Sequence, residues 1–312
     1  MLDIFNVIIP VFGLIGLGYV AVRLRLFPAD GTRGLIAFVN NFATPCLLCE
    51  GMLTSDFGNA FNLAIITPFY VGALVSLVGG ILIARRLFGQ RPGEAVASGF
   101  SATYTNTVLV GIPIILRAYG APALPTMFSI IAFHAPFLIT LAMLVMELSR
   151  RDGAPLGRTL AVAAVRVVQN PLLWGVVLGA LGNHFQVKLP EPAMAFLTMM
   201  SAAVLPASLF GLGGALNEYK LSESWALATV MSLFKLVGQP LIAYLLMVPL
   251  LHVPIDIARY GVLLAAMPAG INVYIFATYY DRAVNVAANV VLISTVASIA
   301  TITFWLYVLG SG

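Results

Sequence analysis

Two short stretches of this sequence place helix breakers and amides where an apolar helix would carry leucine or valine. They are Asn106-Thr107-Val108-Leu109-Val110-Gly111-Ile112-Pro113 and Pro268-Ala269-Gly270-Ile271-Asn272. Proline has no N–H to donate and frees a carbonyl, and glycine lets backbone approach closely. In an apolar surrounding, the released groups need protein, water or a substrate as partner. A helix that restarts after a break offers free N–H groups and the positive end of its dipole, which suits an anion. Packing kinks are the bland alternative for either stretch alone, but two stretches in corresponding places, each with an asparagine, point to non-covalent anion binding.

Three ionisable residues stand out inside apolar runs, and of these Arg166, near a helix end, reads as snorkelling. His134 can pair with a carboxylate, titrate, or sit as a neutral ring bonded to nearby backbone. Lys235, about midway along its run, can balance Glu50, meet an anion, or bond carbonyls freed by a broken helix. Cys46 and Cys49 share one helix face with no second pair, so they read as packing residues and no metal site is expected. The histidines, His134, His184 and His252, are far apart. No nucleophile with its base, no paired aspartates and no His-Glu-x-x-His helix appears, so an enzyme is not expected.

The elements that must hold these residues follow from composition. Of 312 residues, 61% are hydrophobic and 9% charged, against about 25% charged in an ordinary soluble domain. The expected solvent is lipid. Apolar runs near the ~20 residues that cross a bilayer recur throughout. The first has no basic n-region and no cleavage pattern after it, so it reads as a spanning helix and not a signal peptide. Helices are expected at 3–22, 34–54, 62–86, 94–117, 123–148, 160–182, 191–216, 223–250, 257–279 and 284–309, joined by short turn-forming clusters such as Gly89 to Gly93.

If the loops alternate sides, Arg23, Arg25, Arg33, Arg85, Arg86, Arg91, Arg150, Arg151, Arg158, Lys220 and Arg282 fall on one side. Only Arg117, Lys188 and Arg259 fall on the other, so the first side is cytoplasmic and both termini lie outside the inner membrane. With its +4 charge scattered between apolar runs, the chain shows no basic face for nucleic acid.

Pro45 with Leu48 and Pro206 with Leu209 repeat at an offset of 161, which carries helices 1–5 onto helices 6–10 within a few residues. The expected fold class is therefore an all-α integral membrane protein, with ten transmembrane helices as two five-helix repeats, 1–152 and 153–312. Five is odd, so the second repeat enters from the opposite side. Inverted repeats with interrupted helices in matching positions, here helices 4 and 9, are a transporter signature.

Asn106-Thr107-x-x-x-Gly111-Ile112-Pro113 followed by Tyr119-Gly120, and Pro268-x-Gly270-Ile271 followed by Phe276-Ala277, resemble the auxin efflux carrier family. That family includes the plant PIN-FORMED auxin transporters and bacterial malonate and malate permeases. Lys235 ahead of Pro240 in helix 8 adds to the resemblance, which spans all ten helices. It implies crossed, broken helices 4 and 9, a scaffold of helices 1, 2, 6 and 7, and a transport domain of helices 3–5 and 8–10. An elevator-type movement and a homodimer in the lipid bilayer are implied as well. Position by position, it makes Asn106 the main substrate ligand, with Pro113 and Pro268 as the breaks and Gly111 and Gly270 beside them. Asn272 is proposed from its place next to the second break, and His134 from its place in helix 5, about where plant members carry glutamine.

Leu48 stands where plant members carry a serine, and the long loop of many plant members between helices 5 and 6 is missing. Regulation through that loop is therefore not expected, while Leu48 and His134, the departures at the site, shift the expected substrate from auxin toward small malonate-like carboxylates. Secondary transport of small organic anions is the expected function, with an anion channel or a membrane receptor for small carboxylates as alternatives. No cofactor is expected, and a proton or a sodium ion both fit as coupling ion.

Overall fold

The computed structural model describes residues 2–54, 62–150, 168–219 and 224–310, with positions 157, 161 and 165 between them. The chain runs through α1 (Leu2–Arg23), α2 (Ala29–Thr54), α3 (Leu63–Arg86), α4 (Pro92–Ser101), α5 (Thr107–Tyr119) and α6 (Leu124–Arg150). It continues through α7 (Pro171–His184), α8 (Glu191–Glu218), α9 (Trp225–Leu250), α10 (Ile255–Ala265), α11 (Asn272–Tyr280) and α12 (Val284–Leu309). Among the described residues there is no strand, only one isolated β-bridge. Among the described residues, seven helices, α1, α2, α3, α6, α8, α9 and α12, are long and apolar enough to cross a bilayer, and α5 is a shorter apolar helix. This is a multi-pass membrane protein, and large exposed side chains such as Ile9, Met199 and Phe304 belong against lipid.

Hydropathy places the limits of α1, α3, α6, α8, α9 and α12 within about two residues of those observed. The second helix starts earlier than expected, at Ala29, because Pro28 in extended conformation (φ −69°, ψ 141°) stands at its N-cap and Asp30 follows in the first turn, where the helix dipole favours a carboxylate. The expected sixth helix is described from Pro171 onward; Arg151, Arg158, Arg166 and Lys220 lie outside the described residues.

Glycines set the closest helix contacts. A Cβ on Gly18 of α1 would fall 2.1 Å from the Phe210 carbonyl oxygen of α8, and one on Gly213 would fall 1.9 Å from that of Ile15. On the other side of the fold, a Cβ on Gly179 of α7 would lie 2.4 Å from the Cys49 oxygen of α2. Helix pairs in lipid gain their packing from such small residues, since lipid tails are as apolar as leucine.

Both expected interruptions exist, with one correction. The chain leaves helical geometry between α4 and α5, at Ala102 to Asn106, and again between α10 and α11, at Ala266 to Ile271. Pro268 lies inside the second break, but Pro113 lies well past the first, at the start of an α-helical segment, Ile112–Tyr119. Lacking an N–H, Pro113 cannot bond the Leu109 carbonyl; the turn before it widens into a π-helical segment, Thr107–Gly111, in which Gly111 N–H donates to the Asn106 carbonyl at 3.0 Å.

Candidate functional site

The two breaks meet. Thr105 and Ala269 form an antiparallel bridge, Asn106 N–H donates to the Pro268 carbonyl at 2.8 Å, and Gly270 N–H donates to the Tyr104 carbonyl at 3.1 Å. Unwound backbone inside a membrane protein needs every polar group paired, and the neighbouring helices complete the pairing. Ala269 N–H donates to Ser294 Oγ of α12 at 3.0 Å, and Thr105 N–H points to His134 Nε2 of α6 at 3.1 Å. The close approach requires glycine at 270, where a Cβ would stand 2.9 Å from the Tyr104 ring. The two breaks are thus bonded to each other and to α6 and α12.

A cavity of about 330 Å³ opens beside this crossover. From the first break come Tyr104, Thr105, Asn106 and the opening turn of α5; from the second come Gly270, Ile271 and Asn272. Asn40 and Asn41 of α2, Pro136 and Thr140 of α6, and Asn170 at the head of α7 complete its polar and turn-forming lining. None of the described lining residues carries a charge. Any electropositive character must therefore come from amide groups and from the N-terminal turns of α5 and α11.

Asn106 is the most informative side chain. It caps α5, its Oδ1 accepting from Leu109 N–H at 3.1 Å, while its Nδ2 has no hydrogen-bond partner although the residue is only 5% exposed. A buried amide donor left unpaired costs free energy, about 1–3 kcal/mol. Among the described residues it has no acceptor, and a rotation of the side chain would bring it to the cavity that Asn106 lines. Asn272 is already engaged, its Nδ2 donating to Tyr104 Oη at 2.7 Å.

Of the residues expected at the site, Asn106, Gly270 and Asn272 line the cavity, and Gly111, Pro113, Pro268 and His134 do not. Gly111 serves contact with α10, since a Cβ there would lie 2.8 Å from Leu264 Cδ1. Pro268 presents its carbonyl to Asn106. His134 stands behind the crossover with Nε2 3.1 Å from both the nitrogen and the oxygen of Thr105, its ring 4.7 Å from that of Tyr104.

The expectation that Lys235 balances Glu50 needs correction, because each has another partner. Lys235, fully buried, donates to the carbonyl of Ala265, the last residue of α10, at 2.7 Å. An ammonium there meets the negative end of that helix. Glu50, half-buried on α2, accepts the Thr198 hydroxyl of α8.

Asn40, Asn41, Tyr104, Thr140 and Asn170 were not singled out from sequence, although faint signals exist for three of the positions. Asn40-Asn41 is a polar pair inside an apolar run, and Asn170-Pro171 is an N-cap followed by proline at the first helical position. Neither signal says that α2 and α7 converge on the crossover.

Residues 3–306 match the model of a family described as membrane transport protein. A Rhizobium meliloti (strain 1021) protein named "Putative malonate transporter" is 28% identical, the alignment covering 100% of this chain and 98% of that protein. Auxin efflux carrier component 8 of Arabidopsis thaliana is 21% identical over 99% of this chain and 98% of its own length. Lysosomal cholesterol signaling protein of Mus musculus is 25% identical over 97% of this chain, which spans 37% of that longer protein. With a family match running almost end to end over a helical fold that joins two interrupted segments beside a cavity, the chain belongs to the membrane transport protein family, with auxin efflux carriers among its relatives.

Proposed function

We propose that this protein is a secondary transporter that moves small organic anions, malonate- or malate-like or auxin-like carboxylates, by elevator-type alternating access. The observation that carries the reading is Asn106, which lines a cavity of about 330 Å³ and whose buried Nδ2 has no hydrogen-bond partner among the described residues. A carboxylate oxygen is the acceptor that suits it, and the first turns of α5 and α11 add N–H groups and dipole without a fixed cation. The relative named as a malonate transporter supports this class of substrate.

The proposed architecture is ten transmembrane helices in two inverted five-helix repeats, 1–152 and 153–312, with both termini outside the inner membrane. Support comes from one contact in particular: an offset of 161 carries Gly18 onto Gly179 and Cys49 onto Phe210, so the Gly18–Phe210 approach and the Gly179–Cys49 approach are the same contact made twice. Both lie among the helices assigned to the scaffold, α1, α2, α7 and α8. The crossover belongs to the remaining helices, which would travel as the transport domain of a homodimer.

Counterflow in proteoliposomes tests the function directly. Preloaded malonate, malate or indole acetate should accelerate entry of the same labelled solute. Vesicles that exchange none of the three would overturn the proposal.

A further inference from the structure

The crossover supplies only part of the polar lining of the cavity. Besides Thr140 of α6, the rest comes from two helices that take no part in it, α2 and α7, through Asn40, Asn41 and Asn170. Asn40 and Asn41 sit in a π-helical turn of α2, Val39–Ala43, and neither side chain makes a hydrogen bond among the described residues. Short π segments inside longer helices re-aim side chains and gather at functional sites. Asn170 caps α7 by accepting from Leu172 N–H at 3.1 Å through Oδ1, which leaves its amide hydrogens for another acceptor. All three side chains are at least partly exposed, so their amide hydrogens are open to a ligand, and amides without an acceptor in an apolar surrounding are costly.

Resting on the transporter reading, we infer that Asn40, Asn41 and Asn170 form a second polar subsite beside the crossover amide of Asn106. The cavity then selects a short substrate with a hydrogen-bond acceptor at each end: a small dicarboxylate or hydroxycarboxylate in preference to a carboxylate with an aliphatic or aromatic tail. A volume of about 330 Å³ lies at the small end of ligand cavities, which run from roughly 300 to 1,000 Å³, so a compact molecule fits the size, with its short carbon chain against aliphatic side chains such as Ile36, Ile139 and Ile275 and its polar ends on the amides. With neutral donors at both ends, recognition goes by hydrogen-bond geometry and not by ion pairing. The two subsites lie on different parts of the fold, crossover on one side and α2 with α7 on the other, so a two-ended substrate would bridge them.

The test uses the full-length protein in proteoliposomes and compares labelled malonate with labelled propionate, which lacks the second carboxylate. Asn41→Leu removes an amide, and Asn170→Ser removes one while keeping a capping oxygen. Each should lower the ratio of malonate to propionate uptake about tenfold or more, the size of one hydrogen bond to a charged group. Asn106→Ala should instead lower uptake of both. A ratio unchanged in both variants overturns the inference, and so does a wild-type protein that takes up indole acetate or propionate as well as malonate. Vesicles moving no carboxylate at all would remove the transporter reading along with it, whereas carboxylate uptake without discrimination removes the second subsite alone. Size-exclusion profiles of the detergent-solubilised variants separate misfolding from a lost contact.

Discussion

Asn106→Ala removes two interactions that the structure assigns to different atoms of one side chain. Oδ1 caps α5 through Leu109 N–H at 3.1 Å, and losing a cap of this kind costs about 1 kcal/mol of stability. Nδ2 has no partner among the described residues, so its loss should register only when substrate is present. A hydrogen bond to a charged acceptor contributes about 1.5–3 kcal/mol. At about 1.4 kcal/mol per factor of ten, that is a roughly tenfold to hundredfold rise in the half-saturation concentration for uptake. Counterflow kinetics in proteoliposomes read the second effect, and thermal unfolding of the purified protein reads the first. Asn106→Ser separates them, since a hydroxyl oxygen can still cap α5 but is too short to replace the amide donor. Serine should restore stability and leave the uptake defect. If serine restored both, or if alanine left the half-saturation concentration unchanged, the amide would be a cap and nothing more.

Other substitutions test the crossover and the packing around it. Gly18→Ala and Gly16→Ala lie on the same helix, yet a Cβ on Gly18 would fall 2.1 Å from the Phe210 oxygen while Gly16 has nothing within 4 Å. Thermal unfolding should show Gly18→Ala strongly destabilised and Gly16→Ala neutral to stabilised, by up to about 1 kcal/mol from helix propensity. His134→Phe unpairs Thr105 N–H and should cost about 1–3 kcal/mol together with transport; His134→Gln, whose amide can both donate and accept, should recover part of both. Gly270→Ala presses on the Tyr104 ring, which its hydrogen bond to Asn272 holds in place, and should lower uptake at a stability cost of about 1–3 kcal/mol. Gly111→Ala meets only the far end of Leu264 and should be tolerated, its uptake close to wild type.

What could be read from the sequence is what depends on short stretches of chain. Hydropathy is a local property, so the limits of α9 and α12 follow from the length of apolar run that a bilayer demands. The two interruptions were legible for the same reason: Asn106 and Pro268-Ala269-Gly270 announce unpaired backbone whatever surrounds them. Even locally there was ambiguity, since Pro113 looks like a break but needs only a widened π turn ahead of it, because a helix tolerates a missing N–H near its start. The tertiary structure decided everything that depends on partners distant in the chain. Ser294 and His134 satisfy the unwound backbone, Lys235 closes the end of α10 instead of reaching Glu50, and α2 and α7 bring Asn41 and Asn170 to the crossover. A side chain's type states which hydrogen bonds it can make. Which of those bonds stays unmade, and so remains for a ligand as at Asn106, depends on every neighbour that folding brings within about 3 Å.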